Sequence, residues 1–467
     1  MPIAAVPHYL GSDFKTASPG MRFGMYLKLW GVNRRSRALL WTTYDLDYEV
    51  RGEEKKEREV KRENKTAAID DACRLDQTEK ALVENLAARQ RAAFDARAGQ
   101  GAGLAICATA IAPFTTGLGN EHPLENGFAF LWPYGLPYLP GSGVKGVLRR
   151  AAEELADGMW GDKKGWSKDA VYPLMRRKSN GELEEVEDDR GQPIRLSVLD
   201  VLFGREPPQG DSNAVRGALA FWGVIPEIAG NHLMVEIMTP HQSHYYQQKR
   251  DAKSGNSVSP HDSGQPNPIA FLTVPPGSKF CFHVVCDEAH LRGLTQKKQN
   301  GAPDLLAEGA THWKALLTAA FEHAFEWLGF GAKTAVGYGA MKRDADAEAR
   351  AEKERRQREA QEQREREAAE RERRRAAMSA NMRRIDDFRR EFDERAEQLR
   401  GNKEKPHGDY HGKARSLAKD ALEGADWTPE ERRAAAEAIE EWLPKVVKVD
   451  MKDERKKLKL AALKGQA

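Results

Sequence analysis

The sequence predicts an α+β domain followed by an all-α, highly charged extension. Three observations carry that expectation. Two apolar stripes recur at helical spacing: Val144, Val147, Leu148, Ala151, Ala152 and Leu155, then Trp313, Leu316, Leu317, Ala320, Phe321, Ala324 and Leu328. Short apolar or alternating runs lie around them and read as strands. After Asp344 large apolar residues become scarce, and Glu, Arg, Lys, Gln and Ala dominate.

In chain order, the first 50 residues hold aromatic pieces, Phe23–Gly31 and Ala38–Leu46, that read as strands or packed loops. Arg51 to Lys65 is almost wholly charged, and a helical stretch runs on to about Ala98. Its stripe of Leu75, Leu82, Leu86 and Phe94 is incomplete, so residues 51–99 read as an inserted helical arm with a solvated face. Leu104–Pro113 is apolar enough for a buried strand, and Arg216–Glu227, Leu233–Thr239 and Lys279–Val285 read as further strands. Gly329 stops the second helical stripe as a C-terminal cap. Two segments, Trp160–Pro193 and Gln247–Pro268, are loop-rich insertions.

The domain therefore spans 1–343 and the extension 344–467. The extension opens as a charged helix or tail to about Met378, held by ion pairs one turn apart, and breaks over Asn402–Gly412. A final helical module begins with Thr428 as cap and Pro429 at the first helical position. Its Trp427, Ile439, Trp442 and Leu443 suggest a small apolar face for docking a neighbouring subunit or a second copy.

Charge narrows the function. Lys+Arg 74 against Asp+Glu 71 leaves a net +3, so any nucleic-acid contact must come from a local basic groove. The four cysteines, Cys73, Cys107, Cys281 and Cys286, form no CxxC pair and suggest neither zinc nor a disulfide framework. No signal-peptide pattern opens the chain and no run of about 18 apolar residues occurs, so a cytoplasmic protein without membrane contact is expected.

The chemistry concentrates in two glycine segments. The first, LPYLPGSGVKGVLRRAAEEL, supplies Gly141, Ser142, Gly143, Lys145, Gly146, Arg149 and Arg150; the second, GFGAKTAVGYG, supplies Gly329, Gly331, Lys333, Thr334 and Gly337. Glycine lets a main chain approach a ligand closely, and the adjoining cations suit phosphate. Neither segment is a nucleotide-binding P-loop: Lys145 is followed by glycine instead of a hydroxyl residue, and Lys333-Thr334 follows alanine with no helix behind it. In HQSHYY, His241 and His244 are open to four readings: zinc ligand, general base, polar residues stacking on RNA bases beside Tyr245 and Tyr246, or a structural role in a loop. His261-Asp262 and Glu121-His122 are weaker pairs of the same kind.

Read together, Thr116–Arg149, MTPHQSHYY, PNPIAFLTVPPGSKF and LGFGAKTAVGYG resemble, in that order, RAMP-superfamily CRISPR proteins over roughly Pro113–Met341. Within them the pattern is similar to the sixth, head-end subunit family of type III-B (Cmr) RNA-guided complexes. The family usually places a second serine where Gly143 stands. The resemblance implies an RRM-like, ferredoxin-type βαββαβ fold whose insertions include a β-hairpin thumb. It implies guide crRNA, complementary target RNA and the other Cmr RAMP subunits as partners, no cofactor, and a role in antiviral defence. The subunit expected is non-catalytic and holds the 3′ part of the guide. The alternative is a RAMP endoribonuclease that processes precursor crRNA with a histidine base.

Overall fold

The computed structural model describes residues 3–32, 36, 39–41, 44–51, 56–98, 101–124, 126–207, 209, 211–240, 243–246 and 268–465. They form two compact units, Met1–Lys353 and Glu354–Ala467.

The first unit is built on four antiparallel strands: β1 (Gly103–Ala110), β2 (Leu219–Phe221), β3 (Lys279–Cys286) and β4 (Met341–Arg343). Their spatial order is β2-β3-β1-β4. Helix α1 (Gly141–Asp157) precedes β2 and helix α2 (Trp313–His323) precedes β4. This is the ferredoxin-like arrangement. Successive strand residues point to opposite faces, so Ile106, Ala108, Ala110, Phe280, Phe282 and Val284 share one buried face. The apolar stripes of α1 and α2 complete the same core, with the Phe282 ring 5.3 Å from Phe321. The last turn of the second stripe, Ala324–Leu328, widens into a π-helical turn closed by the Gly329 N–H donating to the Ala324 carbonyl at 2.8 Å.

The region expected as a helical insertion opens differently. Lys56–Glu63 is a strand paired antiparallel with Tyr44–Arg51, and helices follow only at Asn64–Cys73 and Gln77–Ala98. Charge density reports polarity, not backbone conformation; cross-strand hydrogen bonding decided the latter. Nor is the second helix a solvated arm. Val83, Phe94 and Ala98 are buried, and Phe94 lies 4.7 Å from the His283 ring on the sheet face opposite α1 and α2. Gly103 leaves room for it: a Cβ there would stand 2.7 Å from the Phe94 ring.

Cysteine spacing misled. The β1–β3 register sets Cys107 opposite Cys281, with Cα atoms 4.2 Å apart, and the two are disulfide-bonded. Strand pairing across 174 residues of separation leaves no local signal. Cys73 and Cys286 are free and buried, and burial pushes both thiols up to about 12.

Leu233–Thr239 becomes the strand Met234–Met238, paired with Ile269–Thr273. The insertion Trp160–Pro193 carries a hairpin of Met175–Arg177 with Leu183–Glu185. Among the described residues no helix is long and apolar enough to cross a membrane.

Helix α3 (Ala345–Ala377) has no buried residue. The division between units falls after Lys353, ten residues beyond 343, because the chain past β4 is still tied to the sheet. The Asp344 N–H donates to the Cys107 carbonyl at 2.8 Å, and Glu348 accepts from the Cys107 N–H at 3.0 Å.

The second unit packs α4 (Ala380–Leu399), α5 (Asp409–Glu423), α6 (Pro429–Val446), α7 (Met451–Lys457) and α8 (Leu460–Leu463) around its own core. Thr428 caps α6 as expected, and Glu431 makes the cap reciprocal. The face expected for docking is not available. Trp427, Ile439 and Leu443 are buried in this core, and the Trp442 ring lies under the Lys445 ammonium at 3.4 Å. Five helices bury what a helix pair would have exposed.

Candidate nucleic-acid interface

The first glycine segment is regular helix from its first residue rather than a flexible loop. Pro140 precedes it without a side-chain cap. Among the described residues, the Gly141 and Ser142 amides find no acceptor in the protein. The N-terminus of a 17-residue helix therefore presents unpaired N–H groups and a partial positive charge. Gly141 is needed for approach, not for left-handed backbone: a Cβ there would lie 2.3 Å from the Phe221 carbonyl of β2. A Cβ on Gly143 would meet only the Leu139 side chain, at 3.2 Å, and one on Gly146 would face open space.

The cations differ. Lys145 is exposed and has no ion-pair partner among the described residues. Arg149 is committed: it donates to the Gly204 carbonyl at 2.7 Å and to Glu153 at 3.2 Å. Arg150 pairs with Glu154 at 2.9 Å but keeps 65% of its side chain exposed.

The second glycine segment does use left-handed backbone, at Gly329, Gly331, Gly337 and Gly339 and at Lys333. Its hydrogen bonds close it into a compact loop: Phe330 N–H to Gly339 carbonyl, Ala332 N–H to Thr115 carbonyl, Gly339 N–H to Pro113 carbonyl. Lys333, half-buried, sits at the left-handed position before the single turn Thr334–Val336. Its ammonium lies 2.8 Å from the Met238 sulfur and 5.5 Å from the Phe271 ring. The loop is thereby docked on the Met234–Met238/Ile269–Thr273 hairpin, where Tyr338 also donates to Glu236 at 3.3 Å.

The two segments do not converge. The start of α1 abuts β2 on one edge of the sheet, and the late loop runs into β4 on the other. Between those edges lies a row that sequence reading missed: Lys279 and Lys342 flank Thr109 across β3, β1 and β4. Both lysines are exposed, without an ion-pair partner among the described residues. Their alternation with buried Phe280 and Met341 was visible; their pairing was not.

Tyr245 and Tyr246 form a short exposed turn, 41% and 76% accessible, with rings 5.6 Å apart. His241, His261 and Asp262 lie outside the described residues, as does the side chain of His244. His122 is structural: its Nε2 donates to the Phe23 carbonyl at 2.8 Å while Nδ1 accepts from the Leu124 N–H. Burial holds its pKa below the usual histidine value. Among the described residues, no three His, Cys, Asp or Glu side chains are grouped to hold a metal ion.

Topology and site thus define a ferredoxin-like α+β domain bearing two glycine segments with adjoining lysines. The chain belongs to the RAMP superfamily, whose family model matches residues 107–342, about half of its length. It is 29% identical over 248 residues to the CRISPR system Cmr subunit Cmr6 of Pyrococcus furiosus, a match covering 48% of this chain and 63% of that protein. The chain therefore spans less than two thirds of that relative's length. Two solved structures are also similar. One is the cryo-EM structure of the type III-B Cmr-beta complex bound to cognate target RNA, at 16% identity, 60% of this chain, 69% of that chain and a TM-score of 0.31. The other is the crystal structure of Cmr6 from Pyrococcus furiosus, at 24% identity, 52% of this chain, 98% of that chain and a TM-score of 0.24.

Proposed function

We propose that this protein is a guide-binding subunit of a type III-B Cmr effector complex. It holds the 3′ part of the crRNA at the head of the complex, in the cytoplasm, and does not cleave RNA itself. The observation that carries this reading is the 29% identity over 248 residues to a Cmr subunit, beside the separate match of the RAMP family model to residues 107–342. The site geometry supports RNA as ligand. Unpaired amides at the start of α1 and the free Lys145 suit one phosphate, and the tightly closed late loop offers Lys333 and Thr334 to another. These groups recognise backbone, so the binding is independent of guide sequence.

The test is reconstitution with the other Cmr subunits around a crRNA carrying photo-crosslinkers at defined positions. Crosslinks from the 3′ part of the guide to this chain are the expected result; crosslinks chiefly from the 5′ handle would overturn the placement. Alanine at His241, His244 and Asp262 together is expected to leave target cleavage by the assembled complex intact. Metal-independent cleavage of repeat RNA by the purified chain would overturn the non-catalytic role in favour of guide processing.

A further inference from the structure

The second unit carries a basic surface assembled from segments far apart in sequence. The Glu404 N–H donates to the Val446 carbonyl at 2.8 Å, and the Lys448 N–H donates to the Glu404 carbonyl at 2.9 Å. This clasp sets Lys403 and Lys405, in the break after α4, beside Lys448. Helix α7 begins three residues beyond Lys448. Lys452 and Lys456 are four residues apart on its outer side, because Glu454 and Leu458 face inward and are buried. Lys459 follows at a left-handed residue.

All six lysines are exposed, and none has an ion-pair partner among the described residues. Among the other cations of the unit, Arg384, Arg390, Arg395, Lys413, Arg455 and Lys464 are each paired with a carboxylate, whereas Arg400, Arg415 and Arg433 are exposed and have no ion-pair partner among the described residues. The exposed carboxylates within 448–459 are Asp450 and Asp453, and Asp450 is occupied capping α7 through the Lys452 N–H at 2.8 Å. The surface also lacks anchors for protein docking: among the described residues of this unit, no large apolar side chain is strongly exposed.

We propose that this lysine face binds the phosphate backbone of single-stranded RNA, as a second contact separate from the glycine segments. Compact, unneutralised ammonium groups spread along one surface attract a polyanion without reading its bases, and their contribution is salt-dependent. The face lies outside the residues matched by the family model, so the contact belongs to the extension rather than to the RAMP domain.

The test uses the full-length chain carrying Lys448→Glu, Lys452→Glu and Lys456→Glu together, with an unstructured RNA of about 30 nucleotides. Affinity is expected to fall about tenfold or more at low salt, and the slope of log affinity against log salt to shrink by about two. A thermal melt confirms folding. If that variant does not fold, Lys403→Gln with Lys405→Gln, in the non-helical break, is expected to lower affinity in the same direction. Ultraviolet crosslinking of the unaltered chain is expected to yield RNA-bearing peptides from 403–405 and 446–459. The proposal fails if a folded variant keeps its affinity and salt slope, or if crosslinks are confined to residues before 353. It also fails if RNA binding persists while binding to a protein subunit or an anionic vesicle is lost. The result is separable from the glycine-segment site: a Lys145→Ala chain is expected to retain the 446–459 crosslinks.

Discussion

Gly331 lies directly under the carbonyl of Thr115: a Cβ on it would stand 2.2 Å from that oxygen and 2.7 Å from the Phe114 ring. The neighbouring Ala332 N–H donates to the same carbonyl at 2.8 Å. Backbone thus meets backbone where the late glycine loop is pinned to the irregular segment that follows β1, and only glycine admits the approach.

Gly331→Ala is therefore expected to destabilise the first unit by several kcal/mol, combining overpacking with strain at φ 93°. Gly337→Ala is the control: φ is 95° but nothing lies within 4 Å, so about 1–2 kcal/mol of backbone strain is expected. Melting curves of the two variants check the contrast, and equal losses would contradict it.

Lys145 and Arg149 are expected to separate binding from stability. Lys145→Ala should weaken RNA binding for unrelated sequences alike and leave the melting temperature unchanged. Arg149→Ala should lower stability by about 1–3 kcal/mol, since it strips a charged hydrogen bond from the Gly204 carbonyl. Denaturant titration and RNA titration of both variants measure the split.

His283 makes stability pH-dependent. Burial, with Arg91 nearby, holds its pKa down to about 4 in the folded chain, against an ordinary value near 6.5. Between those values the unfolded chain binds the extra proton, so this contribution is complete above pH 6.5 and is lost as pH falls towards 4. By pH 5 the loss is about 2 kcal/mol. His283→Gln is expected to flatten the fall in melting temperature across that window, and an unchanged profile would refute the assignment.

Truncation discriminates between two boundaries. A chain ending at Lys353 keeps Glu348 on the Cys107 N–H and on Arg343, at 2.9 Å, and is expected to fold with the stability of the intact first unit. A chain ending at Arg343 loses both bonds and is expected to melt several degrees lower. Calorimetry of the two chains is the measurement.

Much of the architecture was legible in short-range pattern. The stripes of α1 and α2, the caps at Gly329 and Thr428, and the order of the glycine motifs each depend on residues a few positions apart, where backbone geometry fixes which side chains are neighbours. The left-handed glycines of the late loop were legible for the same reason. What only tertiary structure decided depends on closure between distant segments. Sheet order put Cys107 against Cys281 and Lys279 and Lys342 beside Thr109. Packing withdrew Arg149 to Gly204 and buried Trp427. A backbone clasp at Glu404 set Lys403 and Lys405 beside Lys448. Local sequence cannot carry such pairings, because a strand's register and a helix's partner are chosen by burial summed over the whole core.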